Sequence, residues 1–181
     1  MIVYGRNPVR EALRGPREVW RVWATKNAAR EAWLGARVEI VAADEVERLS
    51  GSDAHQGICA EVSEFVYADP DALLAAGPEA LIVALDEVTD PQNLGAICRS
   101  AECAGATGLV LPERRSAGVT AAVCKTSAGA VEHLPVAHVR NLADWLGEAK
   151  ADVLWLEQTS DAVKPDQVDA YLKANKKGEY Q

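Results

Sequence analysis

The chain has 181 residues, of which 49% are hydrophobic and 25% charged, a composition typical of a soluble globular protein and unlike that of disordered, collagen-like or coiled-coil chains. The net charge of −8 excludes a protein that holds nucleic acid by overall positive charge alone. Uncharged stretches such as 80–85 and 105–112 are much shorter than the roughly 20 apolar residues needed to cross a bilayer, so we expect no membrane span and no membrane partner.

The first residues, Met-Ile-Val-Tyr-Gly-Arg-Asn-Pro, turn polar too early for the apolar segment of a signal peptide. We therefore expect a cytoplasmic protein. A short helix is predicted here, with Asn7 as its N-cap, Pro8 at its first position and Gly15-Pro16 at its end.

Alternating strands and helices fill the rest of a first unit. Strands are predicted at 19–24, 38–41 and 58–62, and helices at 27–34 and 43–49. This alternation is typical of a small α/β domain. We place that domain at residues 1–66 and a linker with a short helix at 67–79, where Asp69-Pro70 and Gly77-Pro78 break the pattern.

A second unit alternates more clearly. Apolar runs predict strands at 81–85, 108–111, 134–138 and 153–156, and the segments between them predict helices at 93–104, 119–130 and 141–150, the last capped by Asn141. Apolar strands separated by helices indicate a parallel sheet that is covered on both faces. In such sheets the functional residues lie at the carboxyl ends of the strands.

Charge is distributed unevenly within the first unit. Residues 1–30 carry seven basic and two acidic side chains, whereas residues 31–66 carry two basic and eight acidic ones. A basic end on an acidic protein favours a local patch that contacts phosphates, and a solvated helix face is the alternative.

The four cysteines are Cys59, Cys98, Cys103 and Cys124. They form no CxxC pair and have no metal-ligand spacing with the three histidines. We expect reduced, mostly buried thiols and no metal site.

The segment that follows the first strand of the second unit is the most informative. There the chain leaves the strand through Asp90-Pro91, Asn93 stands where a helix N-cap is expected, and Gly95 permits a close backbone approach. Arg99 follows less than two turns later. The alternative is an ordinary strand–turn–helix with one surface arginine. Neither a GxGxxG nor a GxxxxGK[ST] motif follows any strand, which argues against a nucleotide-binding enzyme of those types.

Residues 85–101, Leu-Asp-Glu-Val-Thr-Asp-Pro-Gln-Asn-Leu-Gly-Ala-Ile-Cys-Arg-Ser-Ala, resemble the first signature motif of the SpoU (TrmH-type) family of RNA 2′-O-ribose methyltransferases. Lys-Thr-Ser-Ala-Gly-Ala at 125–130 and Glu-His-Leu-Pro-Val at 132–136 are similar to the next helix and strand of that family. Upstream, residues 4–13 and 55–58 resemble its N-terminal substrate-binding domain, which is related to ribosomal RNA-binding proteins. That extension is typical of the 23S rRNA guanosine 2′-O-methyltransferase branch. The resemblance covers residues 1 to about 157.

The resemblance implies a SPOUT-like knotted α/β enzyme that uses S-adenosyl-L-methionine, acts on ribosomal RNA and commonly forms a homodimer. It also implies that Asn93 shapes the catalytic pocket and that Arg99 is the catalytic arginine beside the ribose hydroxyl. Two roles for Arg99 stay open: it clamps a phosphate, or it acts as a base whose guanidinium is made neutral by burial.

Candidate RNA-binding residues lie in the first unit. Arg6, Asn7 and Arg10 stand near a predicted helix N-terminus in the basic segment, and His55 and Gln56 lie in a polar loop before a strand. For His55 and Gln56 the alternative is a plain turn. Trp20 and Trp23 fall in a strand pattern, which favours core packing over base stacking.

The chain departs from the family pattern after residue 157. The two loops that form the family's knot and hold most of the cofactor have no recognisable counterpart, and residues 158–181 predict an atypical polar helix from 165 to 177. Residues 80–157 are thus a partial methyltransferase core with an open sheet edge, which favours low stability or dimerisation. Thr159 is placed near the cofactor by position alone. The alternative function is a non-catalytic RNA-binding module or a truncated methyltransferase remnant.

Overall fold

Two four-stranded sheets organise the chain in a computed structural model, which describes residues 1–35, 38–75, 80–149 and 153–157. One sheet is built from strands between residues 2 and 62, and the other from strands between residues 82 and 157. All pairings in the second sheet are parallel. The expected α/β class with a parallel sheet is therefore confirmed.

The first sheet has the strand order β1-β4-β2-β3. Its strands are β1 (Ile2–Tyr4), β2 (Val19–Ala24), β3 (Val38–Ile40) and β4 (Ile58–Val62). Strand β4 runs antiparallel to β1 and β2, whereas β2 and β3 are parallel. Helix α1 (Arg6–Arg14) buries Val9 on one face of this sheet, and helix α2 (Ala43–Ser50) buries Val46 on the other.

Two local predictions for the first unit are wrong, and one strand was missed. Gly5, with φ of 96°, is the N-cap of α1, so Asn7 is the second residue of the helix and not its cap. The predicted helix at 27–34 is a single 3₁₀ turn at Ala28–Arg30. Strand β1 was not predicted, because its three residues pair with β4, which lies more than fifty residues away and gives no local signal.

Trp20 and Trp23 of β2 have different environments. Trp23 is 8% exposed and packs with Val46 and Cys59, as the core interpretation predicted. Trp20 is 57% exposed, so the same interpretation is wrong for it. The pairing of β2 with β4 shifts register between Val19 and Arg21, and such a bulge redirects the side chain of the residue that it contains.

The second sheet has the strand order β7-β6-β5-β8. Its strands are β5 (Ile82–Asp86), β6 (Gly108–Pro112), β7 (Val136–Val139) and β8 (Val153–Glu157). The described helices between residues 70 and 149 are α3 (Pro70–Leu74), α4 (Pro91–Cys103), α5 (Ala121–Thr126) and α6 (Leu142–Ala149). The predicted apolar strands form this sheet. The side chains of β5, β6 and β7 are mostly buried, because both faces of the sheet are covered there.

Helix ends in the second unit show where local rules succeed and fail. The Asn141 Oδ1 accepts a hydrogen bond of 3.1 Å from the Ala143 N–H, so the predicted cap of α6 is confirmed. The predicted helix at 119–130 is shorter, because α5 stops at Thr126 and Gly129 adopts a φ of 88°. A Cβ at Gly129 would lie 2.6 Å from the Glu11 Cβ, so contact with α1 requires glycine there.

The two units share an apolar core and a buried ion pair. Val9 of the first unit and Leu94 of the second belong to the same cluster of buried side chains. Arg17 and Glu132 pair across the junction, where the Arg17 Nε donates to the Glu132 Oε2 at 2.8 Å and the Nη2 contacts the Oε1. Both side chains are buried, at 4% and 0% exposed. No local pattern in the sequence indicated this pair.

Two predictions fall outside the residues that the structure describes: the helix at 165–177 and the cofactor contact of Thr159. The described cysteines are all free, with Cys59, Cys98 and Cys124 buried and Cys103 exposed. A search of the described helices finds none that is long and apolar enough to cross a membrane.

Candidate functional site

Strand order places a crevice at the carboxyl end of β5. Strands β6 and β7 continue on one side of β5, and β8 lies on its other side. Ligands of open parallel sheets bind where the strand order reverses, outside the carboxyl ends of the strands. The chain leaves β5 at Asp86, next to Glu157 of β8 in the register, and starts α4 five residues later. Helix α4 therefore begins at this crevice.

The first turn of α4 differs from the sequence expectation. Asp90, not Asn93, is the N-cap: its Oδ1 accepts a hydrogen bond of 3.0 Å from the Gln92 N–H, and Pro91 is the first helical residue. Both residue types are good caps, but proline favours the position directly after the cap. As the third residue of α4, Asn93 is exposed and its amide does not cap the helix.

Arg99 lies on the same exposed side of α4 as Asn93, opposite the buried Leu94, Cys98 and Ala101. Helix geometry separates Asn93 and Arg99 by about 9 Å along the axis and about 120° around it. They therefore border one exposed surface without facing each other directly. Among the residues that the structure describes, Arg99 has no ion-pair partner and neither side chain makes a hydrogen bond. Their polar groups are available to a ligand.

Gly95 holds α4 against α5. A Cβ at Gly95 would overlap the Thr126 Oγ1 and would lie 2.7 Å from the Thr126 Cβ and 3.0 Å from the Ser127 nitrogen. The predicted close backbone approach at Gly95 is confirmed. This contact sets the position of the helix that carries Asn93 and Arg99.

The loops that follow β5 and β6 are bound to each other. Arg115 Nη1 lies 2.7 Å from Glu87 Oε1, and the Ala117 N–H donates to the Val88 carbonyl at 2.7 Å. Glu87 and Arg115 both adopt a positive φ, at 54° and 60°, which is uncommon for residues with a side chain. Sequence reasoning missed Arg115, because its partner is 28 positions away and the strained conformation has no glycine to mark it.

Four of the five RNA-binding candidates meet at the start of α1. The Arg6 N–H donates to Gln56 Oε1 at 3.0 Å, and the Gly57 N–H donates to His55 Nδ1 at 2.8 Å. Arg6, Asn7 and Gln56 are exposed, and His55 is half-buried. Arg6 also pairs with Glu31 at 2.9 Å. We call Arg6, Asn7, His55 and Gln56 the α1 face.

Arg10, the fifth candidate, lies one turn further along α1 and is occupied by an acidic neighbour. Its Nε donates to Glu11 Oε1 at 2.8 Å, and Glu11 also contacts Arg14 and, at 3.0 Å, His133 of the second unit. Burial by itself would raise the pKa of Glu11, but the hydrogen bonds from Arg10 and His133 outweigh it and hold that pKa below its ordinary value. This cluster therefore links the two units through Glu11 and His133, and the charge of Arg10 is balanced by Glu11.

The described ranges contain no group of three His, Cys, Asp or Glu side chains that could hold a metal ion. Burial raises the pKa of the Cys124 thiol to about 11, so it is neutral beside Arg17 and is not a nucleophile.

Two family models match this chain. The model of the SpoU rRNA Methylase family matches residues 80–178, and the model for RNA 2′-O ribose methyltransferase substrate binding matches residues 2–68. The first match continues 21 residues past 157, where the recognised motifs end.

Curated relatives carry similar descriptions. A putative TrmH family tRNA/rRNA methyltransferase of Bacillus subtilis, YacO, is 35% identical over 177 residues, which cover 91% of this chain and 71% of the relative. An uncharacterized tRNA/rRNA methyltransferase of Mycobacterium avium is 41% identical over 160 residues, which cover 79% of this chain and 52% of the relative. The chain thus spans about half the length of the mycobacterial relative.

Solved structures share the fold. An AdoMet-bound rRNA methyltransferase from Sinorhizobium meliloti superposes with a TM-score of 0.66 at 22% identity, covering 93% of this chain and 74% of that one. The SpoU methyltransferase AviRb from Streptomyces viridochromogenes, in complex with AdoMet, gives a TM-score of 0.68 at 19% identity, covering 94% and 77%. At these identities the likeness supports the fold.

Proposed function

This chain belongs to the SpoU rRNA methylase family, and we propose that it transfers a methyl group from S-adenosyl-L-methionine to a ribose 2′-hydroxyl of ribosomal RNA. A guanosine of 23S rRNA is the proposed target, on the strength of the N-terminal motifs. The observation that carries the proposal is the exposure of Asn93 and Arg99, which have no side-chain partner among the described residues, on a helix that begins beside the carboxyl end of β5.

We propose that Arg99 binds the phosphate beside the reacting ribose. A base role needs a buried guanidinium, whereas Arg99 is exposed. A guanidinium presents several donors in a fixed plane, which suits a phosphate and holds the neighbouring hydroxyl in line for attack. Orientation of this kind, with electrostatic stabilisation, supplies most of the barrier reduction in a transfer that needs no covalent protein intermediate.

The cofactor, when bound, supplies an electrophilic methyl group on its sulfonium. The loop from Glu87 to Asp90 and the exposed amide of Asn93 would provide polar groups on one side of it, where α4 begins. Thr159, outside the described residues, is the proposed contact from the segment that continues β8. In this arrangement Asn93 orients bound groups by hydrogen bonding.

We propose residues 1–66 as the RNA-binding domain, 67–79 as a linker and 80–157 as the methyltransferase core, followed by the helical segment 158–181. The match of a substrate-binding model to residues 2–68 supports the first boundary. The α1 face and Arg10 supply the proposed RNA contacts. A homodimer, which the family resemblance implies, is the proposed form, and a cytoplasmic location is proposed because it is consistent with action on ribosomal RNA.

Transfer of a tritiated methyl group from S-adenosyl-L-methionine to 23S rRNA by the 181-residue chain tests the proposal. We expect label in rRNA that survives alkali as a 2′-O-methylated dinucleotide, together with cofactor binding in isothermal titration. A folded chain that neither binds the cofactor nor labels rRNA would contradict the catalytic proposal.

A non-catalytic RNA-binding module is the second candidate. It is favoured by the concentration of polar contacts on the α1 face, which is formed by the first unit alone. Salt-dependent binding of 23S rRNA without any cofactor binding would support this candidate over the enzyme.

A further inference from the structure

Lys125 of α5 reaches from the second unit onto the first. Its side chain is half-buried, and its Nζ lies 5.8 Å from the centre of the Tyr4 ring at the end of β1. The same Nζ lies 2.5 Å from the point where a Cβ on Gly5 would stand, and Gly5 itself has a φ of 96°, a conformation that favours glycine. Lys125 therefore occupies a defined place at the junction of the two units.

This placement of Lys125 is not explained by the stability of the fold. No carboxylate pairs with its ammonium group among the residues described, and no hydrogen bond is made by it there. Burial lowers the pKa of Lys125, because partial removal from water penalises the charged form. The Tyr4 ring offers a cation–π contact of only about 0.5–1 kcal/mol at an exposed site. A buried structural lysine would normally have an anionic partner.

Lys125 adjoins the α1 face. The Gln56 Oε1 lies 3.1 Å from the same point above Gly5, and it accepts the hydrogen bond from the Arg6 N–H. The exposed side chains of Arg6 and Asn7 follow directly along α1. The ammonium group of Lys125 thus extends this polar surface with a charge from the other unit.

Lys125 also lies next to the contact that positions the catalytic helix. Thr126, the next residue, packs against Gly95, the fifth residue of α4. Lys125 is thus one residue from the contact with α4, and on that helix Arg99 lies one turn beyond Gly95, about 40° away around the axis.

We propose that Lys125 binds a phosphodiester group of the RNA substrate and positions the strand between the α1 face and the candidate catalytic residues. This proposal rests on the proposed function. An ammonium group is a compact charge with three donors, which suits a phosphate oxygen. Because phosphate contacts fix register and carry no base information, Lys125 affects how RNA is placed and not which base is read.

Fluorescence-anisotropy titration of the full chain with a fluorescein-labelled fragment of 23S rRNA tests the proposal, over a series of salt concentrations. We compare wild type with Lys125→Gln, with Lys125→Arg, and with Arg140→Gln, an exposed cation on the far edge of the second sheet that makes the same change in charge. Thermal unfolding and cofactor titration are measured on each variant.

Loss of one phosphate contact lowers the steepness of the log–log salt dependence by about 0.7–0.9 and weakens binding by about threefold to tenfold at moderate salt. We expect this for Lys125→Gln, with restoration by Lys125→Arg, no change for Arg140→Gln, and unchanged cofactor affinity and melting temperature. In methyl-transfer assays the KM for RNA rises while kcat changes less.

Unchanged affinity and salt dependence for Lys125→Gln, in a wild-type chain that binds RNA, would overturn this proposal and leave the proposed function intact. A wild-type chain that does not bind RNA would overturn both. A lower melting temperature in Lys125→Gln that Lys125→Arg does not restore would assign Lys125 a structural role instead.

Discussion

Arg17 and Arg99 illustrate two uses of the same side chain in two regions of the molecule. At the junction of the units, Arg17 is 4% exposed and its donors meet Glu132, with Cys124 and the Ser63 carbonyl nearby. On α4, Arg99 is exposed and has no charged partner in the described part of the chain. A buried arginine must be paired to be tolerated, whereas an exposed, unpaired one keeps its donors for a ligand. Position and pairing together separate a structural arginine from one that is available to bind a ligand.

The largest expected effect comes from breaking the structural pair. Replacing Arg17 with alanine leaves the Glu132 carboxylate buried without a partner, which costs about 3–5 kcal/mol of unfolding free energy. Urea denaturation followed by tryptophan fluorescence measures it. The double variant Arg17→Met, Glu132→Leu removes both charges and should recover most of that loss. Equal destabilisation in the double variant would show that packing, and not pairing, dominates at the junction.

Substitution of Arg99, the exposed arginine of this comparison, should leave the stability of the fold nearly unchanged. We expect Arg99→Ala to lower the rate of methyl transfer to rRNA by about 10²–10³-fold, because a transition-state contact is lost. Its unfolding free energy should change by less than about 0.5 kcal/mol, as for most surface substitutions. A variant with full activity would remove Arg99 from the proposed machinery, and Arg99→Lys distinguishes a need for charge from a need for the planar guanidinium.

Gly95 tests whether the helix that carries Arg99 depends on its contact with α5. An alanine at Gly95 would overlap Thr126, and overpacking of this kind costs about 1–3 kcal/mol. Gly147→Ala in α6 is the matched control, since a Cβ there meets nothing within 4 Å. That control should be neutral or stabilising by up to about 1 kcal/mol, because alanine favours helix. Equal denaturation midpoints for the two variants would contradict the close approach.

A smaller effect is expected at the polar edge of the junction, in the pH dependence of stability. Because the folded-state pKa of Glu11 is below its ordinary value, its contribution is complete above about pH 4.5 and disappears as the pH falls through the folded-state pKa. Melting temperatures measured between pH 6 and pH 3 should fall more steeply for wild type than for Glu11→Gln. The difference corresponds to less than about 1 kcal/mol of unfolding free energy. Parallel curves would show that Glu11 adds nothing to the junction.

Sequence predictions succeeded where the signal lies within a few residues. Asn141 caps α6 because its side chain meets an N–H two positions away, and the strands of the second sheet are mainly apolar because β5 and β6 are covered on both faces. Asn93 was misplaced as a cap because Asp90 competes for the same role within one turn. The first turn of α4 was therefore located correctly, but with its functional amide in the wrong position.

The amino-acid sequence by itself determined the α/β class, the parallel second sheet and the motif that carries Asn93 and Arg99, since periodicity, caps and family motifs are local properties of the chain. Only the tertiary structure decided that Arg17 pairs with Glu132, that Trp20 is exposed while Trp23 is buried, and that Lys125 lies against Tyr4 and Gly5. Each of these depends on contacts between residues far apart in sequence, which strand pairing within the first sheet and packing of the two units create and which no short pattern records.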